Sequence, residues 1–305
     1  MSIVNEDIVA VDRLVMLEKN VKRYFNFCSE RHAIYLRRAE GQPWPWTEDE
    51  ILKTYKFTNI FRELDTGTIW YKENIREPYA DDEELFFNTC MYRQFNYWPT
   101  ADEIGYISTY KPQKLERKLR ARKERGDKIF TSAHMITGTL GGDKITQVVH
   151  KVLFPLWEHR KDLQPQQGDT LESAYMRFKN PGFGPFIRYE VITDLRHTRY
   201  LENASDIMTW ANAGPGAKRG IMRLCGIRPY TAKAGAPSFK MSGKPEFWNA
   251  FMQELLHASD KYLKDFMPAM EMRDIEHSLC EWDKWERART GQGKPRQRYT
   301  PSAQV

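Results

Sequence analysis

The sequence predicts a mainly α-helical protein, on three observations. Apolar residues recur at three- and four-residue steps over long stretches, Gly and Pro punctuate those stretches at helix-like intervals, and two-residue alternation is almost absent. Val11, Leu14, Val15, Leu17, Val21, Tyr24 and Phe25 form the first stripe, which Ala33, Ile34 and Leu36 continue. That helix stops near Gly41, because Pro43 and Pro45 cannot extend it. Thr47 and Glu50 have capping-box spacing and open a second helix through Ile51, Leu52 and Tyr55. A third is expected from about Asp82 to Tyr97, closed by Pro99. Residues 244–267 carry one seam of Phe247, Phe251, Leu255, Ala258, Tyr262 and Phe266, and 271–289 is helical too. The segment PFIRYEVIT at 185–193 is the best strand candidate, and it reads equally well as a buried helix.

The chain has 305 residues, 41% apolar and 13% aromatic, enough to bury a core in one large domain or two small ones. Residues 1–290 are expected to form a single helical domain, with two lobes possible about a basic connector at 111–128, and 291–305 a basic flexible tail. No stretch is apolar enough to span a membrane. The N-terminus carries acids where a secretory signal has bases, and Cys28, Cys90, Cys225 and Cys280 are too scattered for a disulfide framework or a zinc pair. A reduced cytoplasmic setting is expected, with no metal and no membrane partner.

Lys and Arg number 47 against 41 acids, and the excess is localised. Residues 111–128 hold nine bases and three acids, and Lys284–Arg298 holds six bases and one acid. Such clusters suit nucleic acid, or merely a solvated helix face.

Residues 205–224 read as a short helix (SDIMTWA), a tight Gly-x-Gly hairpin and a second helix (AKRGIMRL). Gly214, Gly216 and Gly220 imply positive φ or close approach. A hairpin opening a basic helix makes a phosphate cradle, so Gly214, Gly216, Lys218 and Arg219 are the candidate DNA-backbone contacts. The spacing is similar to the hairpin of helix-hairpin-helix DNA glycosylases, although Arg219 and Gly220 depart from its Thr-Ala end. A plain helix–helix turn is the alternative.

GTLGGDK at 138–144 lacks the Gly-Lys-Ser/Thr end of a P-loop and reads as a surface turn. His134 reads as a general base or, more simply, as a structural histidine. Asn59, Arg62, Glu63 and Asp65 interrupt an aromatic run at 43–71; Arg62 and Asp65 fit either an intrahelical ion pair or a polar patch in an aromatic pocket. Asp194 lies among Arg188, Arg196, His197 and Arg199, which suits an ionised base or a structural salt bridge. Glu276 and Asp283 share a face of the last helix, to bind an ammonium or to solvate that helix.

RYFNFCSERHAIYLRR (23–38), PWPWTEDEILKTYKFTNIFRELDTGTIWY (43–71), YRQFNYWPT (92–100), TSAHMIT (131–137), YEVITDLRHT (189–198), NAGPGAKRG (212–220) and EHSLCEWDKWERAR (276–289) occur in this order. Together they resemble the helical, glycosylase-like domain of the DNA thymine-hypermodification enzymes of bacterial viruses. These are the alpha-glutamyl/putrescinyl thymine pyrophosphorylases and amino acid:DNA transferases; a similar domain accompanies some hydroxymethyluracil DNA kinases. The resemblance covers roughly residues 20–290. It implies a helix-hairpin-helix-type, glycosylase-like fold in a host bacterial cytoplasm. The implied substrate is double-stranded DNA carrying 5-hydroxymethyluracil already pyrophosphorylated by a separate kinase; an amino acid or polyamine then displaces pyrophosphate, without a cofactor.

Such a site needs cationic donors for the departing charge, a carboxylate to deprotonate the amine, and a pocket for an extruded base. Residue type and context nominate Arg62, Arg93, Arg188 and Arg196 for pyrophosphate and Asp194 for the amine, with Asp65 in reserve. Trp46, Asn59 and Asn96 are nominated for the base. Two rivals stand beside this reading. A glycosylase needs an Asp soon after the hairpin, and 221–245 contains no acid. A DNA-binding module needs only the hairpin and the basic runs.

Overall fold

The computed structural model describes residues 14–131, 142–229 and 244–301. Among them every regular element is helical, and Tyr55 and Arg298 form an isolated antiparallel bridge. No helix here is long and apolar enough to cross a membrane. The chain forms two units, one of Met1–Arg62 with Met208–Val305, the other of the intervening Glu63–Ile207. The first unit opens with α1 (Glu18–Ala39) and α2 (Glu50–Thr54). The second holds α3 (Thr66–Tyr71), α4 (Leu85–Phe95), α5 (Trp98–Ile104), α6 (Pro112–Glu124), α7 (Lys144–Thr146), α8 (Phe154–Leu163), α9 (Leu171–Arg177) and α10 (Pro185–Leu195). Return to the first unit brings α11 (Pro215–Leu224), α12 (Pro245–Tyr262) and α13 (Met272–Arg289).

In the first unit, α1 starts at Glu18; Leu14, Val15 and Leu17 of the predicted stripe precede it, and Val11 lies outside the described residues. Leu17 is extended, and its N–H bonds the carbonyl of Leu224 at 2.9 Å. Asn20 donates to the carbonyls of Arg223 and Leu224, so α1 satisfies the last turn of α11. Tyr24, Phe25, Phe27 and Cys28 of α1 are buried with Trp282 and Trp285 of α13 and Trp248 of α12. Tyr24 Oη meets Ser278 Oγ at 2.6 Å. The cap of α2 is Asp49 rather than Thr47: its carboxylate accepts the N–H groups of Ile51 and Leu52, both at 2.9 Å, while Thr47 Oγ1 accepts that of Asp49. Residues 297–299 of the basic tail dock on the end of α2 and the segment after it. Lys56 N–H bonds Gln297 O at 3.0 Å and Tyr299 N–H bonds Thr54 O at 2.9 Å; residues 302–305 lie outside the described set.

Helices α11 and α13 pack closely, and the glycines explain why. A Cβ on Gly216 falls 2.3 Å from Cys280 Sγ, and one on Gly220 falls 2.6 Å from the Leu279 carbonyl oxygen. Neither glycine has positive φ. They are contact points between helices one turn apart, and close approach, not turn geometry, requires them.

His32 of α1 is buried, stacked on Tyr35 and Phe266 and edge-on to Phe61. Burial, with Arg31 beside it, pushes its pKa below the usual histidine range. The unfolded chain then binds the extra proton more readily, so the group favours folding above about pH 6.5 and loses that contribution as pH falls through the depressed value. The melting temperature should drop more between pH 7.5 and 5.5 in the unmodified protein than in His32→Phe; equal drops in both would remove His32 from the acid response.

In the second unit α4 is buried at every position, so each polar side chain on it needs a partner. Asn88 bonds Glu84 O and both polar groups of Ile107, Thr89 bonds Tyr71 Oη, and Gln94 donates to Gly182 O. Around α4 pack α5, α8 and α10. The strand candidate at 185–193 is α10, a helix started by Pro185 at its first position and apolar on most sides. The run 111–128 is not a connector; it lies inside the second unit, where α6 buries Leu115 and Leu119. Lys118 donates to the carbonyls of Glu103 and Ile104, Arg122 and Arg125 pair with Glu103, and Arg120 pairs with Glu116 and Asp143.

Candidate functional site

Three of the sequence segments singled out above, from 63–71, 92–97 and 189–197, meet in the second unit around one buried ion pair. Arg93 reaches from α4 to Asp194 on α10 in a bidentate fork, Nε to Oδ2 and Nη2 to Oδ1, both at 2.5 Å. Asp194 is 0% exposed and Arg93 2%. Arg93 Nη1 also donates to Asn96 Oδ1 at 3.0 Å and lies 3.4 Å from Glu190. Burial disfavours the charged guanidinium, but the Asp194 and Glu190 carboxylates hold its pKa above the usual range. Asn96 closes α4 in the left-handed region at φ 44°, a conformation Asn tolerates better than most residues.

The cluster extends outward. Arg76 is buried, pairs with Glu63 Oε2 at 2.5 Å and lies over the Tyr71 ring. Burial, then the nearby charge of Asp194, pushes the Tyr71 phenol up. The other oxygen of Glu63 is 3.5 Å from His197 Nε2, and both of these side chains are about 30% exposed. A buried frame thus carries a half-exposed imidazole–carboxylate pair. That pair can accept a proton, with the carboxylate orienting the ring.

The structure redistributes the sequence candidates. Arg93, Asn96 and Asp194 come together, but Asp194 and Arg93 occupy each other, which leaves neither oriented toward a substrate. Of the two roles open to Asp194, the salt bridge is the one seen. Arg188 sits elsewhere on α10, 3.9 Å over the Tyr175 ring. Arg196 caps α10 and precedes His197. Arg62 opens a single 3-10 turn (Arg62–Leu64) and Asp65 precedes α3 as an extended residue, so the two do not lie on one continuous α-helix. Trp46 belongs to the first unit, bonded to Gln42 O and packed by Arg38 and Tyr299. Asn59 is also there, accepting from Arg31 at 2.7 Å.

The hairpin reading changes most. Residues 205–209 form turns instead of a first helix, and Gly214 (φ −71°) is the extended residue before α11. Its N–H is taken by Glu276 Oε1 at 3.1 Å, an anion supplied by the protein itself. Gly216 faces Cys280, as described. Lys218 lies over the Trp248 ring, where burial lowers its pKa, and Arg219 pairs with Asp283 at 2.8 Å. His134 and residues 138–141 lie outside the described residues; the following Asp143 caps α7 with its carboxylate.

Sequence reasoning missed a second convergence, in the first unit. Thr58 N–H donates to Glu281 Oε2, Thr58 Oγ1 and Asn59 O both meet His277 Nε2, and Lys284 bonds Glu281 and Lys56 O. These interactions clamp residues 56–59 onto α13. The signal available was the i,i+4 spacing of His277 and Glu281, which is common on helices. All four cysteines are free, and burial pushes their thiol pKa values up, Cys28, Cys225 and Cys280 to about 12. Among the described residues no cluster of His, Cys, Asp and Glu is arranged to hold a metal ion.

Comparison with known proteins gives two matches. Residues 18–294 match a family model described as the helical domain of 5-hmdU DNA kinase. The chain is also similar to a 5-hmdU DNA kinase of Bacillus phage SP10, 31% identical over 224 residues, or 65% of this chain. It spans about a third (35%) of the length of that relative. No solved structure matches.

Proposed function

The chain belongs to the family of the 5-hmdU DNA kinase helical domain, and from that premise we propose that it is a group transferase acting on 5-hydroxymethyluracil-derived bases in phage DNA. The substrate in this reading is an extruded 5-pyrophosphomethyluracil in duplex DNA, produced by a separate kinase. The amine nitrogen of an amino acid such as glycine or serine, or of a polyamine, attacks the exocyclic methylene carbon. A C–N bond forms, the C–O bond to pyrophosphate breaks, and pyrophosphate leaves with the electron pair while the amine proton passes to a base. His197, oriented by Glu63, is that base, and Arg196 beside it is the cation for the leaving group. Arg93 and Asp194 are positioning residues that hold the frame. The half-exposed Glu63–His197 pair on a buried charge cluster is the observation that carries this reading, because a module that only binds DNA has no use for it.

The test is mass spectrometry of nucleosides from DNA carrying 5-pyrophosphomethyluracil, incubated with the protein and a mixture of amino acids and polyamines. A nucleoside with the mass of an amine adduct is expected, lost in His197→Gln. Intact starting nucleoside in every mixture would overturn the transferase, and abasic sites would transfer the case to a glycosylase.

The sorting of charges on α6 supports the DNA part of this reading. Lys114 and Arg117 are exposed, one turn apart, and carry no ion-pair partner among the described residues, unlike Arg120, Arg122 and Arg125. Removing one cation that neutralises a phosphate lowers the slope of log K against log salt by about 1. Lys114→Gln with Arg117→Gln should therefore flatten the salt dependence of duplex binding by about 2, read by fluorescence anisotropy; an unchanged slope would take α6 off the DNA.

A further inference from the structure

On the first unit, a single carboxylate holds three guanidinium groups. Asp283 of α13 is 0% exposed. Its Oδ1 accepts from Arg223 Nε at 2.8 Å, and its Oδ2 accepts from Arg219 Nε at 2.8 Å, with Arg287 Nε 3.5 Å from the same oxygen. The three arginines are not equivalent. Arg223 is buried and its Nη2 donates to Gln292 Oε1 at 3.0 Å, so it is consumed within the protein. Arg219 and Arg287 are 28% and 30% exposed, and the terminal nitrogens of both have no protein partner among the described residues.

One negative charge against three positive ones leaves an excess of two at a partly desolvated place. Like charges so close repel, and a guanidinium fork is satisfied best by a planar or tetrahedral oxyanion. The nearby acid Glu286 does not balance them, since Arg23 and Arg289 already pair with it. We propose that Arg219 and Arg287, held side by side through Asp283, form a phosphate-binding site completed by an external phosphate group. Asp283 acts by position: its Oδ2 fixes the Arg219 head by a hydrogen bond and attracts Arg287 by charge alone, while the Arg287 Nε is buried without a hydrogen-bond partner and is available to an incoming anion. The phosphate comes either from the DNA backbone or from free pyrophosphate. Only the backbone source rests on the DNA reading above.

Two probes separate the sources: a fluorescein-labelled 20-base-pair duplex followed by anisotropy, and inorganic pyrophosphate followed by calorimetry. The variants are Arg219→Gln, Arg287→Gln and their combination, with Arg289→Gln as a control whose head is paired to Glu286. Far-ultraviolet circular dichroism establishes that each is folded; should the combination unfold, the single Arg287→Gln variant, whose ion pair is the longest, carries the test. For a backbone site, the combined variant binds the duplex about tenfold more weakly with a salt slope smaller by about 2, and pyrophosphate shows no site-dependent binding. For a free-phosphate site, pyrophosphate binding is lost and duplex affinity holds. The proposal is overturned if the unmodified protein binds neither probe, if the folded variants bind both as it does, or if Arg289→Gln weakens binding equally. Amine transfer is read separately, by the nucleoside masses, so a phosphate site without transfer and transfer without a phosphate site remain distinct results.

Discussion

Asp194→Asn is expected to melt the second unit about 10 °C lower, whatever it does to chemistry. Asp194 has both oxygens on Arg93 in the interior, and Arg93 spans α4 and α10. Removing one partner of such a pair leaves the other charge buried and costs about 3–5 kcal/mol. At roughly 2–4 °C per kcal/mol for a protein of this size, the loss is plain in a thermal scan. The double variant Arg93→Met, Asp194→Leu discriminates frame from catalyst. Replacing both charges by apolar groups of similar volume should restore part of the melting temperature, the remainder being the loss of Arg93 beside the buried Glu190. If nucleoside transfer returns with it, Asp194 only positions. Recovered stability with no transfer would put Asp194 or Arg93 in the reacting site after all.

Gly220→Ala gives the second large effect, with a sign opposite to helix propensity. In an exposed helix the change gains about 1 kcal/mol. Here the new Cβ would sit 2.6 Å from the backbone oxygen of Leu279, and only a displacement of α13 against α11 relieves it. Overpacking costs about 1–3 kcal/mol, and a backbone obstacle places this case at the upper end. Gly216→Ala meets the Cys280 side chain first, so Cys280→Ala should relieve part of its cost, whereas it should do nothing for Gly220→Ala. Calorimetry of the four variants measures this. Were the glycines a phosphate cradle, both substitutions would weaken DNA binding while the melting temperature stayed put.

Much of the helical pattern was legible because amphipathic stripes report which face is buried. The stretch predicted at 244–267 contains α12, which ends at Tyr262 and leaves Phe266 outside the helix, 271–289 became α13, and α4 lies within the predicted 82–97. The failures also have physical reasons. At 185–193 the helix is buried nearly all round, so periodicity carries no signal there. The Gly-Pro-Gly run looks the same whether its glycines turn the chain or admit a neighbouring helix, and only the presence of Leu279 and Cys280 decides. The candidate site was legible as a set of segments but not as pairings. Nothing local says that Arg93 will meet Asp194, 101 residues away, rather than the Arg188 or Arg196 beside it. The same holds for the charges on α6, where the three acids and the carbonyls of residues 103 and 104 decide which bases remain for a partner.

The interrupted course of the first unit has a consequence for the order of events on the ribosome. Residues 63–207 are contiguous and can close their own core as soon as they emerge. Helix α1 cannot. The rings that cover Tyr24, Phe25 and Phe27 are Trp282 and Trp285 of α13 and Tyr262 of α12, more than two hundred residues downstream. At roughly 5–20 residues per second, the aromatic face of α1 waits on the order of ten seconds or more for its cover. During that interval the nascent chain presents a sticky helix beside an already folded insert. Chaperone capture of the unfinished N-terminal segment, released only when α13 is complete, is the natural counterpart of this chain order.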